Sequence, residues 1–371
     1  MQSEQYTSWL EIDLGAIKNN IRQLSKIASV PVMAVVKANG YGHGLVEAAS
    51  AAADAGAAWC GVARIDEALA LRQSGLSLPV LVLGFTPTNR IVEAVRNNIS
   101  LCVYDMDYAQ EYAGQARAGG GTLKVHVKFD SGMGRLGLFP EDGLNFVKEL
   151  IELPGLELEG VFTHMARADE TDPQTTLWQI GRFQKLVDEL EACKLRPNWV
   201  HAANSASTLY FPQAHFDLVR CGISIYGLHP SAETPNPDSI RPALTWKARL
   251  SSVKYLPAGH GIGYNHRYFT STRERIGVVS VGYADGFRRR LGNFALVHGK
   301  RVNMVGGVCM DQCMVQLDEV PDAQIGDEVV LLGRQGDSVI TAEEIGAVWG
   351  TINYEVVCGL ANRLQRIYYE S

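Results

Sequence analysis

The feature that most restricts this chain is a repeat of short apolar runs. Over the first 230 residues, runs rich in Val, Ile and Leu alternate with stretches whose apolar residues recur every three or four positions. The runs fall at 31–37, 60–63, 80–85, 101–104, 124–129, 158–165, 199–204 and 218–226. Between them lie amphipathic stretches such as 65–73, 89–96, 143–150 and 179–192. Alternating strand and helix patterns of this kind build parallel sheets, and eight repeats predict an α/β fold, a (β/α)8 TIM barrel over residues 1–230. Residues 231–242 belong to a proline-rich, polar stretch that reads as a linker. From 243 to 371 the helices thin out. Short alternating runs at 248–255, 275–281, 295–297, 313–317 and 328–332 predict a smaller, mainly β C-terminal domain. One helix is expected there at 341–349, with Thr341 as N-cap and Glu343 and Glu344 in its first turn. The first ten residues or so are left open to pack with this β domain.

Composition narrows the partners. A chain of 371 residues that is 46% hydrophobic can bury a large core. Its net charge of -6 offers no basic surplus for a phosphate backbone, so nucleic acid is not an expected partner and small molecules are. No run of about 18 apolar residues marks a membrane span, and Met1–Tyr6 lacks the basic start and apolar stretch of an export signal, so a cytoplasmic protein is expected. The seven cysteines form no Cys-x-x-Cys pair and are expected to be reduced core residues. Cys309 and Cys313, the closest pair, have no histidine or second pair nearby, and no metal site is expected.

Barrels of this kind carry their chemistry where the strands end. Lys37 closes the first apolar run and precedes Asn39-Gly-Tyr-Gly-His-Gly44. A lysine there loses solvation, which favours the neutral amine that condenses with aldehydes, and the glycines let backbone approach a phosphate. The plain alternative is a lysine reaching solvent above an ordinary turn. Ser205, Gly222 and Ile223 lie after the last two runs, where such barrels often bind phosphate. Arg220, inside an apolar run, needs an acceptor; a salt bridge to nearby Asp217 is the structural reading. Arg135, beyond the fifth run, can grip a carboxylate. His43, His164 and His201 at strand ends leave a barrel metallohydrolase open, although no His-x-His pair accompanies them.

Taken in order, AVVKANGYGHG, HVKFDSGMGRLG, FTHMARAD, HAANSA, RCGISIYG, GIGYNHRY, VGYADGFRRR, VCMDQCMV and TINYEV resemble the alanine racemase family over nearly the whole chain. The resemblance implies pyridoxal 5'-phosphate as cofactor and a homodimer whose active site is shared between subunits. It implies Lys37 as the Schiff-base lysine and Tyr264, arriving from the partner subunit, as the opposing base. Tyr41, Ser205, Gly222, Ile223 and Tyr354 resemble phosphate contacts, with Asn204 beside them. Arg220 matches the group facing the pyridine nitrogen, His201 the residue that orients it, and His164 a residue beside the cofactor linked to the tyrosine. Arg135 and Met310 match substrate contacts; Lys128, often carbamylated in the family, joins Asp311 and Tyr283 as supporting groups.

The implied activity is interconversion of L- and D-alanine by two bases, one on each face of the substrate, supplying D-alanine for peptidoglycan. A serine or broader small-amino-acid racemase is the alternative, with a related decarboxylase and a non-catalytic cofactor-binding barrel behind it. One departure bears on specificity. Where many members carry an arginine before the Cys-Met-Asp stretch, this chain has Gly307, which is expected to leave the substrate passage wider or less positive.

Overall fold

The computed structural model describes residues 5–371; residues 1–4, which the expectations about the chain's start included, lie outside the described residues. The chain divides into two compact units, Gly15–Pro242 and a second made of the residues up to Leu14 with Ala243–Ser371.

The first strand, β1 (Ser8–Asp13), belongs to the second unit. The first unit then carries eight strands: β2 (Val32–Val35), β3 (Trp59–Val62), β4 (Val80–Val82), β5 (Ile99–Val103), β6 (Leu123–Lys128), β7 (Leu156–Phe162), β8 (Trp199–His201) and β9 (Val219–Cys221). They form one parallel sheet in the order β8-β7-β6-β5-β4-β3-β2-β9. Between its edge strands, the Asp217 N–H donates to the Val200 carbonyl and the Arg220 N–H to the Ala203 carbonyl, both at 3.0 Å, which draws the sheet into the expected barrel. The strands are buried on both faces, as their unbroken apolar runs require. Helices of matching amphipathic pattern follow them, including Ile65–Gln73, Gly143–Ile151 and Gln174–Ala192.

Several strands stop short of the apolar runs that announced them. The first ends at Val35, because Lys37 begins a helical turn, and the last ends at Cys221, because Gly222 breaks extension and Ile223–Tyr226 closes into a 3-10 turn. Apolar side chains continue past both ends into buried loops, so hydrophobicity alone overstates strand length.

The second unit continues with β10 (Leu244–Leu256), a small hairpin of β11 (Gly261–Ile262) and β12 (Tyr268–Phe269), then β13 (Glu274–Val279), β14 (Phe294–Val297), β15 (Lys300–Val305), β16 (Cys313–Gln316), β17 (Glu328–Gln335), β18 (Ser338–Ile340) and β19 (Gln365–Tyr369). All but the hairpin join a nine-stranded sheet in which β1 lies between β10 and β19. The helix Ala342–Trp349 is closed by a capping box: Thr341 Oγ1 accepts from the Glu344 N–H at 3.1 Å, and Glu344 accepts from the Thr341 N–H at 2.9 Å. The cysteines depart from expectation. Cys60, Cys102, Cys221 and Cys313 are buried, but Cys193 and Cys358, at helix ends, are exposed. Among the described residues, no helix is long and apolar enough to cross a membrane.

Thr341→Ala removes one half of the capping box and should lower stability by about 1 kcal/mol. Urea unfolding followed by circular dichroism measures this; an unchanged midpoint would show that the cap contributes nothing.

Candidate active site

Lys37 is half-buried at the start of an unusual turn. Ala38, Asn39, Gly40 and Tyr41 have φ of 54°, 54°, 60° and 51°, a full turn of left-handed backbone. At Ala38 and Tyr41 this costs about 1–2 kcal/mol each, so neighbouring contacts must impose it. Glu67 supplies one of them. Its Oε1 accepts from the Ala38 N–H at 2.7 Å, and its Oε2 from the N–H groups of Ala63 and Arg64 at 2.8 and 3.1 Å, tying the loops after β2 and β3 together. Asn39 Oδ1 accepts from the Leu45 N–H, and buried His43 donates from Nδ1 toward the Gly40 and Tyr41 carbonyls. His43 is thereby a structural group. Sequence reasoning missed Glu67, whose one signal is an acidic residue three positions after the loop residue Arg64, the spacing of a capping box.

The turn delivers Tyr41 to the loops after β8 and β9. A Cβ on Gly222 would stand 2.5 Å from the Tyr41 hydroxyl, so only glycine admits the tyrosine. Ser205 Oγ accepts from the N–H groups of Gly222 and Ser224, at 3.0 and 3.4 Å. Asn204 caps the helix Ser205–Tyr210 through Ser207 and so fixes Ser205. Gly222 thus brings the Tyr41 hydroxyl beside its own backbone and Ser205, with Ile223 next in the chain.

Arg220 is 4% exposed and touches no carboxylate. The expected alternative, a salt bridge to Asp217, does not form; Asp217 instead binds Arg196 at 2.8 Å and the Val200 N–H at 2.8 Å. The guanidinium donates from Nη1 to His201 Nδ1 at 3.1 Å, and from Nη2 to the Thr163 and Ala202 carbonyls and His164 Nδ1 at 2.8, 3.1 and 3.0 Å. Since arginine only donates, both Nδ1 atoms must be unprotonated acceptors. Burial, and then the Arg220 charge, holds His164 and His201 well below the ordinary histidine value, which keeps them neutral. Burial also pushes Arg220 down to about 9, still a cation at neutral pH. Its Nε–H and one Nη1–H find no acceptor among the described residues.

Three more cations, Lys128, Arg135 and Lys37, act electrostatically on His164. Lys128 is buried with Nζ 5.2 Å above the Phe162 ring, and burial, then the Arg220 and Arg135 charges, brings its ammonium down to about 8. The loop bearing Arg135 is organised by Asp130, whose carboxylate accepts from the N–H groups of Gly132, Met133, Gly134 and Arg135 at 2.7–3.1 Å. Burial alone would raise this carboxyl, but the four N–H groups hold it below the usual carboxylate range. Asp130, too, escaped the sequence reading, although an Asp before Ser-Gly-Met-Gly is a recognisable loop-nest pattern.

In the β domain, Tyr264 stands 69% exposed at the tip of the β11–β12 hairpin. Met310, 54% exposed, is bound through backbone to the Tyr283 loop: the Tyr283 and Ala284 N–H groups donate to the Cys309 and Met310 carbonyls, both at 3.0 Å. Arg363 ties these loops together by bridging Asp311 and Asp285, at 2.7 and 2.6 Å. Tyr354 lies half-buried on the helix Asn353–Cys358. The Gly307 position is not left without charge, since a Cβ there would meet the Arg289 guanidinium at 3.2 Å. Backbone of Gly307 in turn lies 3.6 Å from where a Cβ on Gly263, beside Tyr264, would stand. Among the described residues, no group of three or more His, Cys, Asp and Glu side chains is placed to hold a metal ion.

Comparison with known proteins places this architecture. The alanine racemase N-terminal domain model matches residues 12–230, and the C-terminal domain model matches residues 243–368. The alanine racemase of Symbiobacterium thermophilum is 45% identical over 364 residues, covering 97% of each chain. A crystal structure of the Bacillus anthracis alanine racemase with bound L-Ala-P superposes with a TM-score of 0.93 at 42% identity, covering 98% of this chain and 95% of that one. The enzyme from a D-cycloserine-producing Streptomyces lavendulae gives a TM-score of 0.94 at 38% identity, covering 98% and 97%. Fold and sequence thus define a barrel-type isomerase. The chain belongs to the alanine racemase family, whose members depend on pyridoxal phosphate.

Because the folded state depresses Asp130, its contribution to stability is present above the unfolded value of about 4 and is lost as pH falls through the folded value. Asp130→Asn should therefore be less stable than the parent at pH 7, with the gap closing in acid. Urea unfolding across pH 3–7 tests it, and a gap independent of pH would remove the carboxylate from the account.

Proposed function

We propose that this chain is an alanine racemase that interconverts L- and D-alanine using pyridoxal 5'-phosphate held by Lys37. The observation that carries this reading is Arg220, a buried cation with no carboxylate partner and two N–H groups unspent. The cofactor's ring nitrogen is a fitting acceptor, and the Tyr41 hydroxyl, Ser205 and backbone that Gly222 brings together suit its phosphate. Tyr354 completes the phosphate contacts in this reading. When bound, the cofactor's aldehyde condenses with amines and draws electrons from the α-carbon, which acidifies the α-hydrogen.

The protein's share is to bind, orient and move protons. Arg220 disfavours a proton on the ring nitrogen, since two cations repel; a carboxylate, as in related decarboxylases, would favour it. Lys37 Nζ exchanges the α-proton on one face, and Tyr264 of the partner subunit serves the other. An exposed tyrosine at a hairpin tip is available for such a task. Tyrosine ordinarily titrates near about 10 and needs a donor to serve as a base. His164 qualifies: with Nδ1 committed to Arg220, its proton sits on Nε2, free to donate to a phenolate oxygen. Arg135 grips the substrate carboxylate, with Met310 at the substrate's side.

Lys128 is carbamylated in this reading. Brought down to about 8, its amine is partly unprotonated near neutral pH. The nitrogen adds to carbon dioxide and releases a proton, and the resulting anion pairs with Arg135. A broader range of small amino acids is the second reading, favoured by Gly307 and opposed by the Arg289 charge standing against it. The homodimer is expected to act in the cytoplasm, with its D-alanine entering peptidoglycan.

Borohydride should bleach the yellow holoenzyme and leave the cofactor mass on Lys37. In deuterated water with a panel of L-amino acids, alanine should show α-proton exchange with loss of chirality; no exchange on alanine overturns the function. Tyr264→Phe should abolish exchange from one enantiomer far more than from the other, whereas equal, mild losses would sink the two-base assignment. Enzyme supplied with carbon-13 bicarbonate should show one carbamate resonance that Lys128→Arg removes.

A further inference from the structure

The Arg220–His201 contact is one end of a longer buried line. His201 Nε2 lies 2.9 Å from His126 Nδ1, and His126 Nε2 lies 3.3 Å from Glu159 Oε2. Ser100 Oγ donates to the same Glu159 oxygen at 2.5 Å, and Lys124 Nζ lies 3.4 Å from the other. These groups stand on five neighbouring strands, β5 to β9, and cross the barrel interior. Both imidazoles are fully buried, and the line approaches solvent at its Glu159 end, where the Glu159 side chain is 12% exposed and that of Lys124 39%. Gly160 is what makes room for the line, since a Cβ there would overlap the His126 ring.

The protons along it can be placed by elimination. Arg220 only donates, so His201 Nδ1 accepts and the His201 proton is on Nε2. That proton must go to His126 Nδ1, which puts the His126 proton on Nε2, aimed at Glu159. The line ends correctly because an ionised carboxylate only accepts. Burial first, then Arg220 in the case of His201, keeps both rings neutral, while His126, Ser100 and Lys124 hold Glu159 ionised against its own burial. A donor-only group at one end and an acceptor-only group at the other leave a single tautomer for each ring between them. Without Glu159, His126 could carry its proton on Nδ1, where it would face the His201 Nε2–H and work against the tautomer that Arg220 requires.

We propose that His126 and Glu159 are positioning residues for the reaction: they lock His201 in the tautomer that accepts from Arg220, and so hold the guanidinium still in the barrel mouth. The functional consequence rests on Arg220 facing the cofactor's ring nitrogen, as proposed above; the tautomer assignment does not.

Neutron diffraction of the deuterium-exchanged holoenzyme reads the assignment directly. Deuterons are expected on Nε2 of both His126 and His201 and on neither Nδ1; a deuteron on His201 Nδ1 overturns the proposal whatever the enzyme's substrate. For the consequence, Glu159→Leu removes the acceptor and Glu159→Gln keeps an oxygen that can accept from His126. At matched cofactor occupancy, the Leu variant should lose about tenfold in kcat with KM for alanine nearly unchanged, and its bound-cofactor absorption band should shift. The Gln variant should recover most of both. A Leu variant with parental kcat and spectrum, or a Gln variant as impaired as Leu, overturns the positioning role. If the Leu variant does not fold, the Gln variant and the deuteron positions still decide: a near-parental kcat and band in Gln with deuterons on Nε2 supports the line, and a strongly impaired Gln variant or deuterons elsewhere overturn it.

Discussion

The site is arranged around a cation buried without an anion beside it. Removing a guanidinium from water costs several kcal/mol unless donors find acceptors. Here the acceptors are two strand-end carbonyls and two imidazoles, not a carboxylate. This choice sets much else. It forces His164 and His201 to stay neutral, fixes which of their nitrogens carries hydrogen, and leaves a positive field that also lowers Lys128. The nearest formal negative charge along the line is Glu159, two imidazoles away.

A field of that kind needs a rigid frame, and the frame is made of loops held by carboxylates turned inward to backbone. Glu67 secures the left-handed turn after Lys37, and Asp130 gathers the loop of Arg135. In each case an acidic side chain spends its charge on N–H groups. The charge is thereby kept out of the mouth, where it would have neutralised the cations. Phe162 serves as an apolar wall, with the His201 ring stacked on it at 4.9 Å and Arg220 and Lys128 above it.

The barrel was legible because buried parallel strands need unbroken apolar runs, and eight of them leave few architectures. Residues at strand ends, such as Lys37, Ser205 and Arg220, were legible for the same reason: polarity is conspicuous where an apolar run stops. The partners of those residues were not. Asp217 looked like the mate of Arg220 because it is three residues away, but its side chain turns to Arg196 and the backbone of Val200. Glu159 and His126 read as ordinary members of their runs, since nothing in a linear pattern says that two neighbouring strands aim polar groups at one another. Charge balance at Gly307 was likewise hidden, because its neighbour Arg289 is brought there by folding. The motif resemblance named most of the remaining groups; the local pattern alone would have left Tyr264 as one exposed tyrosine among several.

The placement of β1 has a bearing on how such a chain is made. This strand leaves the ribosome before the barrel does, yet its partners, β10 and β19, are separated from it by the entire barrel. During synthesis the barrel can close as soon as β9 emerges, while Ser8–Asp13, four of whose six side chains are destined for burial, waits with unpaired edges. The sheet is therefore finished after the barrel, from segments on either side of it in the chain. A truncated or stalled product would hold a complete barrel and an orphaned strand, the kind of edge that chaperones shield and that aggregates recruit.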